Sequence, residues 1–184
     1  MVVWRNADTV VLHGSLAAAL QLPSVAACLA SAVTVVVCVS GRLAECVDQC
    51  RSAGVTYFDY NGTDQCDLDG FRSASQTRQY VGRWQQMCAN VESARMSGQP
   101  LCVLFFCVDG VHRSGAALCA YLVWHHRLAA LMAVKVLVRA LPIVHFWNRR
   151  SYFVHALVEL HVYRVKVDKS RSESTRNKRR RRGM

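Results

Sequence analysis

Apolar residues fall in short unbroken runs separated by longer stretches of helical spacing. Val33–Val39 is rich in β-branched residues, and Leu101–Phe106 is apolar throughout. Both have the length and composition of strands buried on both faces. Thr9–Leu12 and Thr56–Asp59 read as further strands. Helices are predicted near Ser24–Ala30, where Ser24 is the cap, and near Leu43–Ser52. A longer one runs from about Ser73 to Arg95, where Ser97-Gly-Gln-Pro100 breaks it. Three more are predicted near Ser114–His126, Ala129–Leu141 and Tyr152–Val162. Strands alternating with helices imply an α/β fold, a single domain with a central, mostly parallel sheet flanked by helices. In such sheets ligands bind beyond the carboxyl ends of the strands.

The chain has 184 residues, 52% of them hydrophobic, enough for a core of ordinary size. Its net charge of +11 is unevenly placed. Ten of the 23 Lys/Arg but only two of the 12 Asp/Glu lie from Arg164 onward, so the preceding 163 residues carry a net charge of only +3. The division expected is therefore a folded domain over 1–163 and a basic, disordered tail over 164–184. Nine cysteines form no Cys-x2-Cys pair, and Cys38, Cys102 and Cys119 lie within apolar runs. Buried reduced thiols fit this pattern better than a zinc site, and they suit a cytoplasmic or nuclear location. Leu16–Gly41 contains no charged residue, but Gln21-Leu-Pro-Ser24 interrupts it and its halves differ in kind. A short helix followed by a buried strand is expected there rather than a membrane span.

The chemistry concentrates where Leu101–Phe106 ends. Cys107 is followed by Gly110, Arg113 and Ser114-Gly115, and an apolar helix then begins. A strand that delivers a thiol to a short glycine-containing loop, with a helix N-terminus after it, is built to bind phosphate. Its N–H groups turn inward, the helix end is positive, and the Arg113 fork can hold two oxygens. A second Cys-x5-Arg spacing, Cys66 to Arg72, lies in a polar stretch with no strand before it and reads as coincidence.

Cys107-x2-Gly110-x2-Arg113-Ser114 resembles the signature of the cysteine-dependent protein tyrosine phosphatases, in their atypical dual-specificity branch. Ala120–His126, Ala133–Pro142 and Phe153–Leu160 resemble that family's closing helices, and Leu12–Ala19 and Val33–Ser40 resemble its early strands. The resemblance covers about residues 9 to 162. It implies hydrolysis of phosphotyrosine and phosphoserine or phosphothreonine in a phosphorylated protein substrate, through a phosphocysteine intermediate and without metal or cofactor. Cys107 would be the nucleophile and Arg113 would stabilise the equatorial oxygens, while Ser114 would hydrogen-bond the sulfur as it leaves. Val108, Asp109, Gly110, Val111, His112 and Arg113 would bind phosphate. The general acid would come from Tyr57–Asp69, with Asp64 chosen by its offset from Tyr57 over Asp59, Asp67 and Asp69.

Three residues depart from the pattern. Phe106 stands where the family has histidine, Asp109 where a small neutral residue is usual, and His112 where serine is common. Phe106 and Asp109 motivate a phosphate-binding pseudophosphatase as an alternative. The same chemistry on a phosphoinositide or an RNA 5′-phosphate is another. Asn148 resembles an asparagine that braces the loop in relatives. Lys178–Arg182 resembles a nuclear localisation patch, and the tail could also touch an acidic membrane or RNA, with no stable nucleic-acid complex expected.

Overall fold

The computed structural model describes residues 2–5, 8–15, 34–39, 44–52, 54–60, 74–95, 101–107, 112–142 and 151–182. Along them run β1 (Val2–Arg5), β2 (Thr9–Ser15), β3 (Val35–Cys38), α1 (Ala44–Ser52) and β4 (Thr56–Asp59). Next come α2 (Ala74–Ser93), β5 (Leu101–Cys107), α3 (Arg113–His125), α4 (Ala130–Ala140) and α5 (Ser151–Arg182). The five strands form one sheet in the order β1-β2-β5-β3-β4. Only the β1–β2 pairing is antiparallel, so the sheet is mostly parallel as the alternation implied. The expected helix near Ser24–Ala30 lies outside the described residues. Among those described, no helix is long and apolar enough to cross a membrane.

β5 is the middle strand, and all seven of its residues are buried. Its pleat divides them between two cores. Cys102, Leu104 and Phe106 join Val36, Cys38 and Cys50 on one face. Leu101, Val103, Phe105 and Cys107 join residues of α2, α3, α4 and α5 on the other. α3 lies in the middle of that second layer, with every residue from Ser114 to Val123 buried. That explains its unbroken apolar sequence, since a helix surrounded on all sides has no polar face. The outer helices keep a single stripe: Tyr80, Trp84, Met87 and Val91 in α2, Ala130, Ala133, Val134 and Leu137 in α4, and Phe153, Ala156, Leu157 and Leu160 in α5. α1 ends in a Schellman motif. Gly54, at φ +68°, donates its N–H to Arg51 O, and Val55 N–H reaches Cys50 O.

A charged network ties the far end of this layer together. Tyr121 Oη donates to Glu92 Oε1 at 2.8 Å, and Arg95 Nε donates to Glu92 Oε2 at 3.2 Å. Arg95 also reaches Thr9 Oγ1 and Asp8 O. His125 packs on the Tyr121 ring, with Nε2 3.1 Å from Cys88 O and Nδ1 3.5 Å from Glu92 Oε1. The end of α2, the end of α3 and the start of β2 are thereby held in one register. Burial opposes the charge on Glu92, but the Tyr121 hydrogen bond, His125 and Arg95 outweigh it and hold the carboxyl below its usual 4.5. Burial pushes the His125 ring below its usual 6.5 despite the nearby carboxylate.

α5 departs from expectation. The tail expected to be disordered from 164 onward is, through Arg182, the continuation of this helix. Arg164 lies over the Trp124 ring, donates from Nε to Trp124 O at 3.0 Å and pairs with Asp168, which Arg127 also approaches. Arg127 reaches this position from a left-handed backbone (φ 56°) just past the end of α3. The physical reason is cooperativity. The packed turns around Phe153–Leu160 have already met the nucleation cost, and each further Lys, Arg or Glu extends the helix cheaply. Cations at its carboxyl end also complement the helix dipole.

Two outcomes follow from these contacts. Tyr121→Phe removes the hydroxyl from an ionised partner and should lower stability by roughly 1–3 kcal/mol at neutral pH, measured by urea unfolding. A depressed carboxyl contributes above its unfolded value and loses that contribution as pH falls through its folded one. The difference between wild type and variant should therefore shrink as pH falls below the usual carboxyl value of 4.5. For the tail, truncation after Ser170 leaves the Arg164 contacts in place and should not change the unfolding midpoint. Arg164→Ala should cost about 1–2 kcal/mol, because a backbone acceptor and an aromatic face lose their cation.

Candidate active site

The parallel register aligns three strand ends at one edge of the sheet. Ser15 of β2 pairs with Cys107, and Cys38 of β3 pairs with Phe106. Val39 N–H then bonds Phe106 O at 3.0 Å, carrying the β3 ladder to its end. Cys107 is the last residue of β5 and is only 1% exposed. α3 starts six residues later, with His112 as N-cap and Ala116 N–H closing the first turn on His112 O at 2.9 Å. The His112 side chain makes no capping bond to the first amides. Those amides and the positive helix end stand beside the strand terminus.

Within that turn, Ser114 is fully buried and its Oγ lies 3.1 Å from Cys107 Sγ. A hydroxyl at this distance can donate to a sulfur anion. Arg113, the first helical residue, is half-buried at the mouth of the turn. The strand end, the helix start, a thiol and a hydroxyl are thus brought together, with Arg113 the first residue of that helix. Val108, Asp109, Gly110 and Val111 lie outside the described residues, as do Asp64, Asp67, Asp69 and Asn148.

Of the candidate acids, Asp59 alone is among the described residues. It is exposed at the carboxyl end of β4, paired in register with Cys38. β3 separates β4 from β5, so two strand spacings, about 10 Å of sheet, lie between the Asp59 and Cys107 backbones. The chain leaving β4 is firmly held. Tyr60 N–H bonds Cys38 O at 2.9 Å, and Asn90 Nδ2 donates to Tyr60 Oη at 2.6 Å. This brace fixes the point from which the stretch containing Asp64 departs. Sequence reasoning missed it because Asn90 is one polar residue on a long helix, and only the packing of α2 brings it to Tyr60.

Phe106 has a clear packing role. It is fully buried on the face of β5 opposite Cys107, among Val36, Cys38, Cys50, Cys102 and Leu104. The described cysteines Cys38, Cys50, Cys88, Cys102, Cys107 and Cys119 are all buried thiols outside any disulfide. Burial pushes the Cys102 thiol up to about 11 and raises Cys88 and Cys119 as well, so these three are inert neighbours rather than nucleophiles.

No family model matches the chain, and no curated protein matches it by sequence. Solved structures do match. Human DUSP28 superposes with a TM-score of 0.58 at 21% identity, over 81% of this chain and 91% of that one. Tk-PTP in a mutant form gives 0.60 at 17% identity, over 89% and 95%. PTPMT1 gives 0.58 at 16% identity, over 90% and 96%. The chain has the fold of the dual-specificity phosphatases. In that fold, as here, α/β alternation builds one domain with a mostly parallel sheet.

The surroundings of Phe106 set a test at the position where the resemblance calls for histidine. Phe106→His would place an imidazole in an apolar cluster with little to bond, and it would leave part of the phenyl volume empty. It should destabilise the protein by roughly 2–4 kcal/mol in urea unfolding. An unchanged midpoint would show that the cluster can accommodate a polar ring.

Proposed function

We propose that this protein is a cysteine-dependent phosphatase that hydrolyses phosphotyrosine and phosphoserine or phosphothreonine in proteins. The observation that carries this reading is the Cys107–Ser114 contact at 3.1 Å, at the carboxyl end of the central strand and the N-terminus of α3. A structural cysteine has no need of a buried hydroxyl beside it, a helix end after it and an arginine opening that helix. A nucleophile that must carry negative charge, bond to phosphorus and leave again has use for all three.

In this mechanism the Cys107 thiolate attacks phosphorus in line with the ester oxygen. The S–P bond forms as the P–O bond breaks, and the departing oxygen takes a proton from Asp64. Arg113 and the amides of residues 108–113 bind the three equatorial oxygens as charge spreads over them. Water, deprotonated by the same aspartate, then attacks phosphorus. The P–S bond breaks, sulfur leaves as thiolate, and the Ser114 hydroxyl donates to it. Protonation of the first leaving group and stabilisation of the second thus fall to different residues.

One comparison supports a second reading. PTPMT1 has been solved in complex with PI(5)P. A phosphoinositide headgroup would use the same thiol, arginine and amides, and differs from a phosphoprotein only in what surrounds the phosphate.

Wild type should hydrolyse a small aryl phosphate without added metal, with inhibition by vanadate. Cys107→Ser should abolish turnover yet still bind vanadate, because the serine hydroxyl stays protonated. Equal turnover by wild type and Cys107→Ser would falsify the enzyme reading and leave a phosphate-binding protein. Ser114→Ala should slow breakdown of the phosphoenzyme by about 10- to 100-fold, through loss of one charge-assisted bond, and produce a burst in rapid-mixing assays. Asp64→Ala should cost ~10²-fold on poor leaving groups and less on good ones. If Asp59→Ala or Asp67→Ala shows that pattern instead, the acid is assigned to the wrong aspartate. Parallel assays on phosphopeptides and phosphoinositides decide between the two substrate classes.

A further inference from the structure

The last contacts between α5 and the domain are those of Arg164 and Asp168 with Trp124 and Arg127. Beyond them, every residue from Lys169 to Thr175 is exposed, and the helix continues to Arg182. From Lys169 to Arg182 this extension carries eight Lys/Arg, one Glu and no apolar residue. Basic positions occur all round it. The helical period puts Lys169 and Arg176 on one side and Arg171 and Lys178 on the opposite one.

We propose that this extension docks as a helix in the major groove of double-stranded DNA, bound through the phosphate backbone. The partner must be a polyanion, because the segment offers charge and almost no apolar surface. A membrane surface is a poor fit, since a helix lying on lipid needs an apolar face to bury, and charge around its whole girth would hold half of it off the bilayer. A groove with phosphates on both walls uses charge on every side. The major groove of B-form DNA is about 12 Å wide and admits an α-helix of 10–12 Å diameter, whereas the A-form major groove is narrow and deep. The extension is roughly 21 Å long at 1.5 Å per residue, enough to follow the groove over about six base pairs. Arginine predominates over lysine, as suits forked contacts to phosphate. Binding of this kind is weak, reversible and indifferent to base sequence. It does not depend on the catalytic reading, since none of these residues belongs to the Cys107 site.

The experiment is fluorescence anisotropy of a labelled 20-base-pair duplex titrated with the full-length protein between 50 and 200 mM salt. The log–log salt dependence should have a slope of about −4.5 to −6.3, corresponding to five to seven neutralised phosphates. Truncation after Ser170 should weaken binding by at least about 30-fold at the lowest salt, with the same unfolding midpoint as wild type. Thr175→Pro keeps every charge but breaks the helix. It should lose most of the affinity, which a disordered basic tail would not. Equal binding by Thr175→Pro, equal affinity for single-stranded DNA of the same length, or stronger binding to phosphatidylserine vesicles at matched phosphate would each overturn the proposal.

Discussion

The burial of β5 between β2 and β3 is the constraint on which the remaining features depend. A parallel strand covered on both faces must be apolar along its whole length, and it can meet polar chemistry only where it stops. Leu101–Phe106 satisfies the first condition, and Cys107 stands at the stopping point. Because β2 and β3 pair with it in register to the same edge, that end is walled by backbone on both sides. α3 then returns across the sheet with its N-terminus toward the thiol, and its own burial from Ser114 to Val123 leaves it little freedom to shift. The 3.1 Å contact between sulfur and hydroxyl is the local result of packing that extends through the whole domain.

The polar groups that do enter the core keep this arrangement from sliding. Glu92, Tyr121, His125 and Arg95 lock α2, α3 and β2 at the end of the layer remote from Cys107. Asn90, two residues before Glu92 on α2, holds Tyr60 at the exit of β4. One helix therefore braces both the far end of the fold and the departure point of the stretch that carries Asp64. Rigidity of this kind matters to a site whose work is positioning and charge stabilisation, since such sites lose rate steeply when reacting groups drift by an ångström.

Phe106 and the basic helix show the fold using familiar positions differently. At Phe106 the outer core is apolar on every side, so an aromatic ring contributes burial where a histidine would need a partner. At the carboxyl end, α5 passes the edge of the domain and carries its charge outward on a regular helix, with Arg164 and Asp168 as the last tie.

The sequence by itself determined whatever depends on neighbours along the chain. Strand runs, helix stripes and the strand–loop–helix around Cys107 are local patterns, and a period of two or of 3.6 survives in the text of the sequence. β1 was not legible, because four residues pairing antiparallel at a sheet edge leave almost no pattern. Composition registers the charge of the tail and not the packed helix upstream that leads into it. Tertiary structure alone decided the contacts across long separations: Tyr60 with Asn90, Tyr121 with Glu92, Arg95 with Thr9 and Arg164 with Trp124. These join single polar residues whose partners lie 29 to 86 positions away. No local pattern encodes such pairs, since they exist only once the apolar layers have brought the helices together.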